Sequence, residues 1–533
     1  MSSFRDYRAP QEHGGSFIDP PLCEAGALIA ANRRAGGEDP SHLQTLRGVA
    51  REEILTAAKA YTSAYRDVSW VDSRDRQCLI MAGHQPSLFH PGVWLKNFAL
   101  SDLGRKAGAV AINMVVDNDV SGGNQIRVPV IQGGVTSEQN FRAGYVSVPF
   151  DLANPGVPYE QLQIRDRDLF DSFALRVSET IQPLINDPSV NQLWPHAIEA
   201  IRRCGYAGCA LAQARHALES DLGQLTLEVP VGVVSRSRSF ATFLLHILTD
   251  AERFAADYND SLQAYRAAHH IRSSAHPVPS LDRQEDWQET PLWVYGDEDP
   301  MRRQVWVRRS GADRLEIGDR KSRRVTLDIG DVDAAAAHLI ELCDANFKLR
   351  PRALLTTMFA RLVLSDLFLH GIGGGKYDQL GDMIMRRFFG VTPPAFMVLS
   401  ATLKLPIPDF STGHTDQDPA SCLEGLQRRL RETVYQPERF CDQASLPDDL
   451  LQQKQKLLAD IPPRGEKSAW HQQMTVINSK LAKHLAPLRQ QLRSQKNEAS
   501  RRIADEAVLR NREHSLALHP LDSMTSIFKR VLS

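Results

Sequence analysis

Two short stretches carry residues whose types and spacing could do chemistry. The first runs Gly83-His84-Gln85-Pro86 and continues through His90-Pro91-Gly92 to Lys96-Asn97. Its two histidines stand six residues apart, the second just before a helix start. They could grip an anion or a nucleotide, because a helix N-terminus offers free N–H groups and a positive dipole end. Lys96, roughly one and a half turns into that helix, could add a charge. The plainer alternative is that His84 and His90 only cap and hydrogen-bond the turn. The second stretch is His370-Gly371-Ile372-Gly373-Gly374-Gly375-Lys376-Tyr377-Asp378. Four glycines there would let the backbone approach a ligand closely, or would form a tight structural turn. His370, Lys376 and Asp378 favour the site. The stretch is not a P-loop, which needs four residues between its glycines and then Lys-Ser or Lys-Thr, nor is it G-x-G-x-x-G.

A third group, Asp117-Asn118-Asp119, could bind a divalent cation, orient a hydroxyl or act as a base. Asp and Asn also favour solvated turns. Weaker candidates are His269-His270 and His276 near Arg272, read as surface, and Trp287, Trp293 and Trp306, read as packing residues. Arg428-Arg429 and Arg501-Arg502 read as solvated helix faces. No G-x-S-x-G elbow occurs, and no cysteine has a recognisable nucleophile context.

The elements that must position these residues follow from hydropathy patterning. The apolar run Cys78 to Ala82, a helix from Pro91 to Lys106 and the run Ala109 to Val116 make a βαβ unit in about 40 residues, hence a parallel sheet. Ligands of such sheets sit beyond the carboxyl ends of the strands. A second piece holds a strand over Leu362 to Leu369, a helix from about Tyr377 to Phe389 and a strand over Phe396 to Leu405. The expected fold is α/β, with a parallel sheet built from residues 46–157 and 334–419. An irregular lead-in occupies 1–45, and residues 46–66 open the core as a helix. Residues 158–333 form a mostly helical connection, interrupted near Glu228 to Gly232, with a small antiparallel patch from 287 to 330. Residues 420–515 read as a helical hairpin or coiled-coil arm turning at Pro462 to Gly465, and 516–533 as a C-terminal segment. In the arm Ile477, Leu481, Leu485, Leu488 and Leu492 form a heptad-like seam expected to need a partner surface. Pro487 inside it should kink or locally break the helix.

Composition bounds the rest. The 533 residues are 42% apolar and 24% charged with a formal net charge of −1, so no global field draws nucleic acid or a membrane. The seven cysteines include no C-x-x-C pair and no zinc-ligand spacing, which fits a reducing, cytoplasmic setting. Met1 to Gly15 lacks the apolar core of a signal peptide, and no run of 18 apolar residues occurs.

The segment Leu79-Ile80-Met81-Ala82-Gly83-His84-Gln85-Pro86, with Gly92 and Lys96 downstream, resembles the strand and Gly-Gln-Gln turn near the N-terminus of bacillithiol synthases, cysteine-adding enzymes of a low-molecular-weight thiol pathway. Asp117-Asn118-Asp119 lies where that family carries Glu-Asp-His-Asp. Arg350-Pro351 and the glycines after Leu369 resemble its later Arg-Pro and Gly-Gly segment. Here His84 replaces the first Gln, and the acidic run is shorter and lacks its His. The resemblance implies a Rossmann-like core, nucleotide binding and a coiled-coil homodimer. The expected activity is then a ligase or transferase joining a small polar metabolite to an acceptor. His84 would act as acid or base or contact a phosphate, His370 would be catalytic beside it, Asp117 and Asp119 would orient an amine or hydroxyl, and Lys96 and Lys376 would hold an anionic group. Gly83, Gln85, His90, Asn97, Asn118, Gly371, Gly373, Gly374, Gly375, Tyr377 and Asp378 would line the ligand. Two rivals stand beside it: a non-catalytic dimeric nucleotide-binding protein, and a nucleotidyltransferase-like enzyme using His84 and His90.

Overall fold

Fully apolar runs of four to seven residues bury both faces of a strand, the signature of parallel pairing between covering helices. The computed structural model describes residues 4–132, 142–271, 278–407, 419–442, 444–463 and 466–533. In it the chain divides into two compact units, residues 1–128, 146–406 and 512–533 in one, and 129–145 and 407–511 in the other.

The first unit is built on a six-stranded mixed sheet. Its strands are β1 (Ser16–Asp19), β2 (Asp75–His84), β3 (Ala109–Val115), β6 (Leu227–Pro230), β13 (Leu367–His370) and β14 (Phe396–Ala401). The order is β1-β14-β13-β2-β3-β6. All neighbours pair in parallel except β1, which runs antiparallel to β14. β4 (Gln125–Gln132) and β5 (Arg142–Pro149) form a separate pair. A second sheet holds β7 (Arg283–Gln284), β8 (Trp287–Tyr295), β9 (Arg303–Gly311), β10 (Arg314–Gly318), β11 (Arg324–Asp328) and β12 (Lys348–Pro351), all antiparallel.

Helices α1 (Ala25–Gly37), α2 (Ser41–Ser63) and α3 (Pro91–Lys106) precede a run of shorter ones. These are α4 (Arg167–Asp171), α5 (Phe173–Ile181), α6 (Val190–Cys204), α7 (Ala207–Asp221), α8 (Val231–Val234), α9 (Arg238–Leu248) and α10 (Ala251–Ala268). Then come α11 (Val332–Leu342), α12 (Ala353–Phe359), α13 (Ile372–Ile384) and, at the end of the chain, α18 (Leu521–Leu532). The site depends most on α3. Pro91 occupies its first turn and His90 caps it. Its apolar faces pack on both sides: a Cβ on Gly104 would meet Ala111 of β3 at 2.9 Å, and Phe98 contacts Phe528 of α18, ring centroids 4.9 Å apart.

Several expectations are corrected. The lead-in expected over 1–45 is not irregular from Ser16 on: it holds β1, α1 and the start of α2. The interruption at Glu228 is a strand, β6, so the connecting region lends an edge to the core sheet. Leu362 is helical, since α12 runs on as a π-helical turn through Leu364, and β13 starts only at Leu367. Apolar content alone cannot separate a buried helix from a buried strand over so short a run. The helix expected from Tyr377 begins at Ile372, so Gly373, Gly374 and Gly375 are its first turn rather than a loop.

The second unit is helical: α14 (Pro419–Tyr435), α15 (Asp448–Ala459), α16 (Ser468–His484) and α17 (Ala486–Leu509). The chain breaks between α16 and α17 at Leu485, two residues before Pro487. The seam is not left for a partner. Leu481, Leu485 and Leu492 are buried within this one chain, and Ile477, Leu481 and Leu485 pack with Phe440, Leu446 and Leu450. Of the expected turn, Arg464 and Gly465 lie outside the described residues, as do Arg272 and His276. Among the described residues no helix is long and apolar enough to cross a membrane.

Candidate functional site

Strand register brings the candidate groups to one end of the sheet. His84 pairs with Val115, and Leu369 with Ala82, so His370 stands level with Gly83. Asp117 lies two residues beyond β3. His84, Asp117 and His370 therefore share the carboxyl end of the parallel strands.

His84 closes β2. Its Nε2 lies 3.1 Å from Asn97 Oδ1 and its Nδ1 3.0 Å from the Gln85 carbonyl. Asn97 Nδ2 donates to Glu219 Oε1 at 2.7 Å, which turns the amide oxygen towards the histidine. Trp94 Nε1 and Arg215 Nη1 donate to the same Glu219 oxygen at 2.7 and 2.8 Å. Arg215 in turn bonds Glu228, which accepts from Asn113 at 2.6 Å. This buried network of α3, α7, β3 and β6 fixes Asn97, and Asn97 fixes the imidazole. A neutral imidazole has only one N–H for its two oxygen neighbours. Burial, helped by Arg215 and Lys96, holds the ring well below its ordinary range, so it is neutral at pH 7.

Lys96 is 3% exposed, and its Nζ donates to the Gly83 carbonyl at 2.7 Å. Among the described residues no carboxylate forms an ion pair with it. Burial, together with Arg215, pushes the ammonium down to about 7. A neutral imidazole and an amine about half charged at neutral pH thus flank the end of β2.

His370 and Asp378 have a different character. Both are buried, and Asp378 accepts from His370 Nε2 at 2.8 Å, Arg361 Nη1 at 2.6 Å and Thr357 Oγ1 at 2.7 Å. Arg361 also reaches Asp382 at 2.7 Å and lies 4.5 Å from the centre of the Phe396 ring. Burial alone would raise Asp378; Arg361 and His370 hold it well below the usual carboxylate range. Every oxygen of this carboxylate is committed inside the fold, so His370 and Asp378 act as a structural clamp between β13, α12 and α13. Asp378→Asn should therefore cost about 3–5 kcal/mol, the usual result of stranding a buried charge. Because the folded carboxylate is the stronger acid, its contribution is present above the unfolded value of about 3.9 and is lost as pH falls below it. Urea unfolding at neutral and acidic pH measures both effects. A loss under about 1 kcal/mol would mean that the clamp is solvated.

Asp117 is buried beside Glu160. Its Oδ1 accepts from Gly232 N at 2.8 Å, and burial followed by the Glu160 charge pushes it up to about 7. Glu160 is held by Arg350 through two bonds, 2.9 and 3.0 Å, and by Tyr295. A Cβ on Gly232 would come within 2.6 Å of Glu160 Oε2 and 3.0 Å of Asp117 Oδ2, so a larger residue there would have to displace the two carboxyls. Asn118 Nδ2 donates to the Pro351 carbonyl at 2.7 Å and is buried. Asp119 is at the rim, bonded by Gln85 Nε2 at 2.7 Å and by Arg302 Nη1 at 2.8 Å.

His90 serves as the helix cap. Its Nδ1 accepts from Gly92 N at 3.1 Å, and its Nε2 lies 3.5 Å from Glu513. A Cβ on Gly92 would come within 2.1 Å of the Ala401 carbonyl, so this glycine allows α3 to meet β14 rather than a ligand. At α13 the N-terminus has no side-chain cap, and open space surrounds Gly371 and Gly373. Gly374 abuts His370 and Gly375 abuts Val398. Lys376 is 3.6 Å from Asp6, and Tyr377 faces Tyr265 of α10. Among the described residues no group of three or more His, Cys, Asp or Glu is placed to hold a metal ion.

Sequence reading missed Glu219, Glu160, Arg302 and Arg361. Each comes from a distant element and carries no local motif; only Arg350 was marked, through its Arg-Pro step. The tryptophans expected to be packing residues do pack, each with a guanidinium over its ring: Arg308 on Trp287, Arg302 and Arg352 on Trp293, Arg320 on Trp306. No protein-family model matches the chain, and no curated protein sequence matches it.

Proposed function

We propose that the protein is a bacillithiol-synthase-like enzyme with a Rossmann-like core, a ligase or transferase joining cysteine or a similar small amine to an acceptor. The observation that carries this reading is the pair His84 and Lys96 at the end of β2, a neutral imidazole beside a buried amine with no anionic partner among the described residues. Such a pair can accept a proton from an incoming amine or thiol, and a cleft holding groups with displaced pKa values is where acid–base chemistry is expected. Asp117, half protonated near neutral pH, would orient the nucleophile. The uncapped start of α13 would take the phosphate of a nucleotide. Untargeted metabolite profiling of a deletion strain tests the reaction: loss of a cysteine-containing thiol is expected, and an unchanged profile counts against it. Thermal shift against nucleotides and sugar acids tests the ligand, since 100 times the dissociation constant adds about 2.7 kcal/mol.

The non-catalytic reading finds its support in His370 and Asp378, since His370 Nε2 and both Asp378 oxygens are occupied inside the fold. An unchanged metabolome with retained nucleotide binding would favour it. The protein would act as a homodimer, as the family resemblance implies, through a surface other than the buried Leu481, Leu485 and Leu492. Light scattering at micromolar concentration should give twice the chain mass of 59.5 kDa; a single-chain mass contradicts it.

A further inference from the structure

Arg352 directly follows β12 and is 8% exposed. Its Nη2 donates to Glu289 Oε1 at 2.6 Å, while its Nε and Nη1 are buried without a hydrogen bond among the described residues. No other described side chain has two such atoms. Its guanidinium carbon stands 4.3 Å from the centre of the Trp293 ring, which stabilises the charge but offers no lone pair to the N–H groups. A third unpaired atom lies beside these two. Asn118 Nδ2 donates to the carbonyl of Pro351, the residue before Arg352, and Asn118 Oδ1 is buried with no donor among the described residues. Arg302 completes the group. Its Nη1 donates to the Asn118 carbonyl at 3.4 Å and to Asp119 Oδ1 at 2.8 Å, and its guanidinium carbon is 5.0 Å from the centre of the same Trp293 ring. Trp293 pairs with Arg350 across β8 and β12, so both side chains leave one face of that sheet. Arg350 holds Glu160, whose carboxyl meets that of Asp117, and Gln85 ties Asp119 to the end of β2. The group therefore borders the candidate site.

A buried donor or acceptor without a partner costs stability, so three in one place call for an occupant. Arg352 is balanced by Glu289 and Arg302 by Asp119, so the local charges cancel and favour a ligand carrying both signs over a dianion. Asn118 and Arg352 adjoin the same Pro351 peptide, so the two charges of that ligand must lie close together. We propose that Arg352, Asn118 and Arg302 bind a small zwitterion, an α-amino acid, beside Trp293. Its carboxylate accepts from Arg352 Nη1 and from Arg302, and its ammonium donates to Asn118 Oδ1. The donors and the acceptor left unpaired by the fold thus match the two ends of the ligand. This binding site stands whether the protein is a ligase or a non-catalytic binding module.

The test is calorimetric titration of the full chain with glycine, L-alanine, L-serine and L-cysteine. At least one should bind with a dissociation constant of about 1 mM or tighter, the weak end of small-ligand affinity. Its counterparts lacking the carboxylate or the amine should each bind at least about tenfold more weakly, the worth of one hydrogen bond to a charged group. Arg352→Lys keeps a cation for Glu289 but removes Nε and Nη1, and should weaken the amino acid by a similar factor. Arg302→Met, at a more exposed position, should weaken the amino acid while leaving the decarboxylated amine unaffected. Circular dichroism and urea unfolding confirm that both variants fold. The proposal is overturned if no amino acid binds the wild type, if the decarboxylated amine binds as well, or if folded variants keep full affinity. Full affinity in the variants would place the amino acid elsewhere and leave the ligase reading intact, whereas an unchanged metabolome would count against that reading alone.

Discussion

Lys96→Met is expected to make the folded chain more stable near pH 7, by roughly 2–4 kcal/mol. The lysine is 3% exposed and its ammonium has been pushed from an ordinary 10.5 to about 7. At about 1.4 kcal/mol per pKa unit, keeping that proton in the folded state costs about 5 kcal/mol. Methionine fills similar space without the charge, but leaves the Gly83 carbonyl without its donor, which returns about 1–3 kcal/mol of the gain. The sign with pH follows from proton binding. Between about 7 and 10.5 the unfolded chain holds the proton and the folded one does not, so wild-type stability rises with pH across that window. The variant lacks this rise, and its advantage should shrink as pH approaches 10.5. Urea unfolding of both proteins across the window decides. A destabilised variant with an unaltered pH slope would show that Lys96 is solvated or paired, and would remove the observation on which the proposed function rests. A group kept at such a cost to stability is better explained by function than by folding.

The second large effect concerns rate. His84→Asn keeps a polar side chain near Asn97 and removes the ring nitrogens that can accept and return a proton. With substrates identified by metabolite profiling, single-turnover rate should fall by about 10²–10⁴, the usual worth of a general acid or base, while affinity changes little. The wild-type rate should lose its acidic limb only well below the ordinary imidazole value, because burial favours the neutral ring. If His84 merely supports the turn, Asn serves as well and both constants stay put. If it grips an anion, affinity falls with rate. Unchanged rate and affinity together would take His84 out of the site and shift weight to the binding-module reading.

What the sequence by itself determined is local. Pro91 with its apolar followers set α3 to the residue, from Pro91 to Lys106, because proline at a first turn and periodic burial are both encoded within one helix. The run Ala109 to Val115 and the β2-α3-β3 crossover were legible for the same reason, and they carried His84 and Asp117 to the ends of neighbouring strands. Pro487 announced the break between α16 and α17. What only tertiary structure decided is which polar groups stay available. Hydropathy could not tell that Leu362 continues a helix, or that the glycines after His370 are the first turn of α13. Nor could spacing show that Asp378 is consumed by Arg361, or that Lys96 finds a carbonyl instead of a carboxylate. Those outcomes depend on desolvation and on charges brought from residues scores of positions away, such as Glu160 to Arg350 and Asn97 to Glu219. A periodic pattern is a property of neighbours along the chain, whereas a pKa is a property of neighbours in space, and only the fold creates those.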